Sequence, residues 1–187
     1  KEVHLARFDF VTGHRYFDEK PVVLEKGQPI VVEGLHALND SLTYMLPRYE
    51  KVKISLGVLT QIRINDHNRI STSDTRIIRR MVRDQQFRDR GPMATMDIWA
   101  DVRRGEEKNI YPYQEDADTI FNTALPYELA VLKPYAEPLL ESIDKDSVHY
   151  AEARRLLRFL KPFKSIDSSV VPPNSLLREF IGPDRKK

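Results

Sequence analysis

The chain has 187 residues, 41% of them hydrophobic and 31% charged, enough for one good core with or without a smaller appendage. Its 30 Lys and Arg against 28 Asp and Glu leave a net charge of +2, so total charge makes no case for a nucleic-acid binder and any basic site must be local. The absence of cysteine excludes disulfides, thiol nucleophiles and thiolate metal sites; with no signal-peptide-like start and no apolar run near the ~20 residues of a membrane span, the expected location is the cytoplasm, with no membrane partner.

In chain order, "FDFVTGHRYFDEKPVVLEKGQP" reads as a loop with a turn at Lys26 and Gly27. The unalternating run Ile30 to Val32 predicts a strand covered on both faces, as in a parallel sheet, ending on Glu33 and Gly34. Leu38, Leu42 and Leu46 have helical spacing, Pro47 ends that segment, and "KVKISLGV" from Lys51 to Val58 predicts a second strand. Strand, helix, strand makes a βαβ unit and an α/β sheet the leading architecture.

Residues 73 to 91 predict a strong helix, capped by Ser73 or Asp74 and stopped at Gly91 and Pro92. The stretch from Met93 to Thr123 mixes a short helix, a charged loop at "DVRRGEEKN" and a strand from Asp118 to Phe121. "YELAVLKPYAEPLLESI" predicts a strand and a helix divided near Pro134. Ala153, Leu156, Leu157 and Leu160 mark a further helix, and another is expected between Pro172-Pro173 and Gly182, ahead of a solvated "PDRKK" tail. The division expected is a sheet-containing part over 1–123, including the helix at 74–90, and a mainly helical extension over 124–187.

Three groups of residues could carry chemistry. An acid at the end of a buried parallel strand faces the ligand crevice, where Glu33 could hold Mg²⁺; a helix cap or an arginine partner is the alternative. At about 100° per residue, Arg76, Arg79, Arg80 and Arg83 fall within one arc of about 100°, opposite Ile77, Ile78, Met81 and Val82. Guanidinium groups bind phosphate oxygens two at a time, so this stripe suits a phosphorylated ligand. The alternatives are a solvated face balanced by Asp84 and Asp89, or a nucleic-acid surface, which the sparse aromatics and neutral total charge disfavour. Finally, Phe8, Asp9 and Phe10, followed by a glycine turn, His14 and Arg15, can stack a planar base and bond a sugar or phosphate; core packing for a phenylalanine and an exposed loop for His14 remain open.

Taken in order, "FDFVTGHR", "IVVEGLHAL" and "DTRIIRRMVRD" resemble the second half of the uridine kinase and phosphoribulokinase group of P-loop kinases, over residues 7 to 90. The stretch from Asp101 to Leu140 resembles a bacterial-type subgroup of uridine kinase-like proteins. The resemblance implies phosphoryl transfer from ATP to a nucleoside hydroxyl, with a nucleoside or related small molecule as acceptor. It places Phe8, Asp9 and Phe10 at the nucleoside pocket with Arg15 near, Glu33 with Mg²⁺, and the lid arginines among Arg76, Arg79, Arg80 and Arg83. Phe8 stands where the family has tyrosine, and Gly13 where it has its base-contacting histidine, so the base preference stays open. No stretch matches G-x-x-x-x-G-K-[ST], and the family's catalytic aspartate would lie upstream. The expectation is therefore the C-terminal portion of a longer kinase, inactive alone, its open sheet edge covered by a preceding segment or a second copy. A non-catalytic module that binds a phosphorylated ligand or an acidic partner is the alternative.

Overall fold

A computed structural model of the chain describes residues 2–9, 12–63, 66 and 69–183. Its first element is an antiparallel hairpin of β1 (Ala6–Asp9) and β2 (His14–Phe17), in register from Ala6 opposite Phe17 to Asp9 opposite His14. The sequence reading had a loop here. Gly13 closes the hairpin at a φ of 71°, a conformation only glycine adopts cheaply, and its N–H donates to the Asp9 carbonyl at 2.8 Å. A bridge between Val3 and Val22 continues the pairing, and the turn at Lys26 and Gly27 forms as expected.

Residues 30–33 are neither strand nor helix, and Val31 is 91% exposed, which corrects the expected buried strand. A β-branched run becomes a buried strand only when neighbouring strands and covering helices meet it, and none meets this one among the described residues. The helix expected around Leu38, Leu42 and Leu46 is likewise replaced by turns and single 3₁₀ turns at Asp40–Leu42 and Arg48–Glu50. A helix this short needs an apolar face to bury, and Leu42 and Leu46 are exposed.

β3 (Ile54–Gly57) pairs in parallel with β4 (Thr119–Asn122), Ile54 opposite Thr119 and Gly57 opposite Asn122. Parallel strands need a long crossover, and three helices lie in it: α1 (Thr72–Phe87), α2 (Pro92–Asp97) and α3 (Trp99–Asn109). The chain thus contains a βαβ unit, one crossover later than the sequence suggested. β3 turns Lys53 and Ser55 inward and leaves Ile54 and Leu56 exposed.

α1 starts where the Ser71 hydroxyl accepts the Asp74 N–H at 3.3 Å, two residues before the expected cap. Its Ile77, Ile78, Met81 and Val82 are all buried, as their spacing required. The charged stretch in α3 is helical rather than a loop, since Arg, Glu and Lys are good helix formers and Arg103 pairs with Glu107 one turn on.

α4 (Glu128–Glu141) runs unbroken through Pro134 and Pro138, where a strand and a helix were expected. Pro134 has no N–H for the Ala130 carbonyl four residues back, and that carbonyl accepts the Ile166 N–H instead, at 3.0 Å. With its backbone group satisfied, the helix keeps Val131, Leu132, Ala136 and Leu140 buried, worth ~1.5–3 kcal/mol for each large side chain. α5 (Tyr150–Leu160) adds Ala153, Leu156 and Leu160, and its Arg155 clamps Asp74 at 2.6 and 2.9 Å. The short α6 (Arg178–Ile181) adds Phe180 and Ile181 and ends at Gly182, whose φ is 84°.

α1 packs against α4 and α6, and α4 against α5, around one apolar core. The architecture is mixed α/β, with two-stranded sheets attached to a helical body. Among the described residues no helix is long and apolar enough to cross a membrane.

Candidate functional site

The chemistry concentrates on α1, and its centre is Asp84, expected only as one of the acids balancing a solvated arginine face. The Asp84 carboxylate is completely buried. Arg88 donates to it from Nη1 at 3.1 Å, and the Thr95 hydroxyl from 3.5 Å. Arg80 Nε lies 3.3 Å and Arg83 Nε 3.8 Å from its oxygens. Both Nε atoms are buried and neither finds a hydrogen-bond acceptor among the described residues. Burial, with the neighbouring Arg83, Arg88 and Arg90 adding to it, lowers the Arg80 pKa against the pull of Asp84. Burial and then Arg83 lower that of Arg88 in the same way. Three guanidinium groups, those of Arg80, Arg83 and Arg88, therefore crowd one buried carboxylate, and the other acid near them among the described residues, Glu179 at 3.5 Å from Arg83, is exposed. Among the described residues, an array of guanidinium groups whose Arg80 and Arg83 Nε donors are buried and unspent suits an anionic ligand with several oxygens.

The other two arginines of the stripe are spent. Arg76 forms a two-pronged pair with Glu106 of α3 and donates to the Tyr111 hydroxyl at 3.0 Å. Arg79 is buried between Glu128 at the start of α4, reached from Nε at 2.6 Å, and the Phe180 ring, 5.1 Å away. Burial raises the Glu128 pKa, against the opposing effect of Arg79. The arginine face, expected to present its guanidinium groups to a phosphorylated ligand or to solvent, instead pairs with acids of α3, α4 and α6.

The hairpin brings Phe8, Asp9, His14 and Arg15 together; Phe10 lies outside the described residues. Opposed residues share a face and successive ones alternate, so Phe8 and Arg15 stand on one side, Asp9 and His14 on the other. The Arg15 guanidinium lies 5.1 Å over the Phe17 ring, an aromatic the sequence reading did not single out. The Asp9 carboxylate accepts the Thr12 N–H at 3.3 Å, and His14 Nδ1 donates to the Thr12 carbonyl at 2.8 Å. Glu33 belongs to neither group: it sits in the exposed stretch at 30–33. Among the described residues no group of three acids or histidines could hold a metal ion.

Sequence reasoning named Asp84 as a partner of the stripe but on a solvated face, and missed its burial, Arg88 as a member of the cluster, and Glu106 and Glu128 as the acids that take Arg76 and Arg79. One signal was available: "RDQQFRDRG" continues the basic run past the stripe. Fold and site together define a mixed α/β protein with an enclosed, arginine-rich helix beside a parallel strand pair. No family model, curated protein or solved structure matches this chain.

Proposed function

We propose that the chain supplies the phosphate-closing helix and the acceptor-binding hairpin of a kinase that transfers the γ-phosphoryl group of ATP to a nucleoside-like hydroxyl. The observation that carries this reading is the cluster of Arg80, Arg83 and Arg88 around the buried carboxylate of Asp84, with the Nε atoms of Arg80 and Arg83 buried and without an acceptor among the described residues. The order of the hairpin, Glu-Gly and arginine-helix motifs along the chain supports it. The acceptor oxygen bonds to the γ-phosphorus, the bond to the β,γ-bridging oxygen breaks, ADP departs, and the hydroxyl proton passes to a base. The arginines offset the charge on the transferring group, and the aromatic and polar groups of the hairpin hold the acceptor. The phosphate cradle and the base come, in this reading, from outside residues 1–187. Glu33 offers one exposed carboxylate without companions among the described residues, which do not by themselves fit a Mg²⁺ site.

Titration calorimetry of tripolyphosphate and ATP onto the chain tests the anion site. Binding that weakens as salt rises is expected. Arg80→Ala or Arg88→Ala should cost about 1.5–3 kcal/mol, roughly ten- to a hundredfold in Kd. Absence of binding at low salt overturns the reading. Coupled ADP release with ATP, Mg²⁺ and a panel of nucleosides, on this chain and on a longer form carrying a phosphate cradle, then tests transfer. Binding without acceptor-dependent ADP release in either form would leave a phosphate-binding module in place of a kinase.

A further inference from the structure

Arg79 is set apart from its neighbours by where its hydrogen bonds go. Besides Glu128, its Nη2 donates to the Thr123 carbonyl at 2.7 Å and its Nη1 to the Thr123 hydroxyl at 3.4 Å. Thr123 in turn is tied to the end of β3: its N–H and hydroxyl both donate to the Gly57 carbonyl, at 2.8 and 3.2 Å. The adjacent Asn122 closes the same junction. Its Oδ1 accepts the N–H groups of Leu59 and Ala124, each at 3.0 Å, and its Nδ2 donates to the Leu59 carbonyl at 2.9 Å. Gly57 and Asn122 are the last opposed pair of the parallel strands. Ligands of parallel α/β sheets sit beyond the carboxyl ends of the strands, which is where these bonds converge.

We infer that Arg79 is a positioning residue: held by Glu128, it fixes the carboxyl ends of β3 and β4 relative to α1 and does not itself bind phosphate. Arginine suits the task because its fork donates in two directions at once, from Nε to the α4 acid and from the Nη atoms to the strand end. Lysine would keep the charge opposite Glu128 and lose the reach to Thr123. The junction follows from the hydrogen bonds alone; only the contrast with a phosphate ligand rests on the proposed function.

Amide hydrogen exchange followed by NMR on the full chain tests it with Arg79→Lys, Asn122→Ala and the control Arg76→Lys. Exchange at Leu59, Thr123 and Ala124 should rise about tenfold or more in R79K and N122A, the effect of one lost hydrogen bond on local opening. Leu132 and Leu156 in the core should keep their protection, and R76K should leave the junction unchanged. Unaltered protection at the junction in R79K, or a uniform rise through the core, overturns the inference. Tripolyphosphate affinity separates it from the proposed function. R79K should bind within about twofold of wild type, as expected for a site removed from the ligand. A loss as large as that of Arg80→Ala would make Arg79 a phosphate ligand and sink the positioning role. If wild type binds no tripolyphosphate, the proposed function fails and the exchange data still decide the junction.

Discussion

Residues 2–52 and residues 70–182 are built on opposite terms. Among the described residues, the first stretch has no buried side chain, although it carries Ile30, Val31, Val32, Leu35, Tyr44, Met45 and Tyr49, all exposed. Every buried hydrophobic residue of the core lies in the second. The two stretches do not differ by lacking apolar residues; they differ in whether local spacing is enough to bury them. Helical periodicity makes an apolar face within one element, and α1, α4 and α5 need only find one another. A β-branched run has no such face until strands flank it and a layer covers it.

The largest effects break the comparison from the helical side. Leu132→Ala or Leu156→Ala, at fully buried positions, should cost about 2–5 kcal/mol in urea unfolding followed by far-UV circular dichroism. Val31→Ala should leave the midpoint unmoved, because the side chain is already in water. A fall with Val31→Ala would show that the first stretch contributes to the core after all.

Of comparable size is the effect at the buried pair. Glu128→Ala strands the Arg79 charge in the interior, which should cost about 3–5 kcal/mol in the same assay. Glu128→Gln separates charge from hydrogen bonding and predicts a pH dependence. Burial raises the folded-state pKa of Glu128 above its ordinary 4.5, so between those two values the folded state binds more protons than the unfolded chain. The stability of wild type relative to E128Q should therefore increase as pH falls from neutrality toward 4.5. A difference that shrinks over that range would mean that Arg79 overcomes the burial.

How much of this was legible follows the same division. The apolar face of α1 was legible, since a 3.6-residue period and a stop lie within one segment, whereas its cap at Ser71 and the burial of Arg79 and Asp84 were not. α5 and the strands at 54–57 and 119–122 were legible for similar reasons. The pairing of strands was not, since Ile54 meets Thr119 across three intervening helices. Nor were the partners of the arginines: Glu106 lies 30 residues from Arg76 and Glu128 49 from Arg79, so the stripe could be drawn while the acids that enclose it could not. Pro134 misled because the compensation for its missing N–H comes from Ile166, far along the chain. The arginine helix was legible from its spacing while the hairpin was read as a loop; the Asp84 hub and the Thr123 junction became visible only with side chains in place.

A smaller expected effect concerns Asp84. Replacing it with asparagine removes the buried anion that Arg80, Arg83 and Arg88 share among the described residues, so the folded state should weaken at low salt. Tripolyphosphate should then raise the melting temperature of Asp84→Asn more than that of wild type, because the ligand supplies the missing charge. Equal shifts in the two proteins would place the anion elsewhere.

The smallest global effect is expected where the two regions meet. The Asp40 carboxylate accepts from Lys51 at 3.0 Å and from Lys53 at 2.6 Å, holding the 3₁₀ turn at 40–42 against the entry of β3. Those bonds, Lys53 first, lower the Asp40 pKa below its ordinary 3.8, so the tether is intact above that value and is lost as pH falls through the lower folded-state value. Asp40→Asn should mimic that acid limit at neutral pH. Amide exchange should quicken around residues 51–54, while the urea midpoint, set by the helical core, stays within error. If the midpoint falls together with local protection, the first fifty residues unfold with the core as one cooperative unit, and their exposure is no measure of their independence.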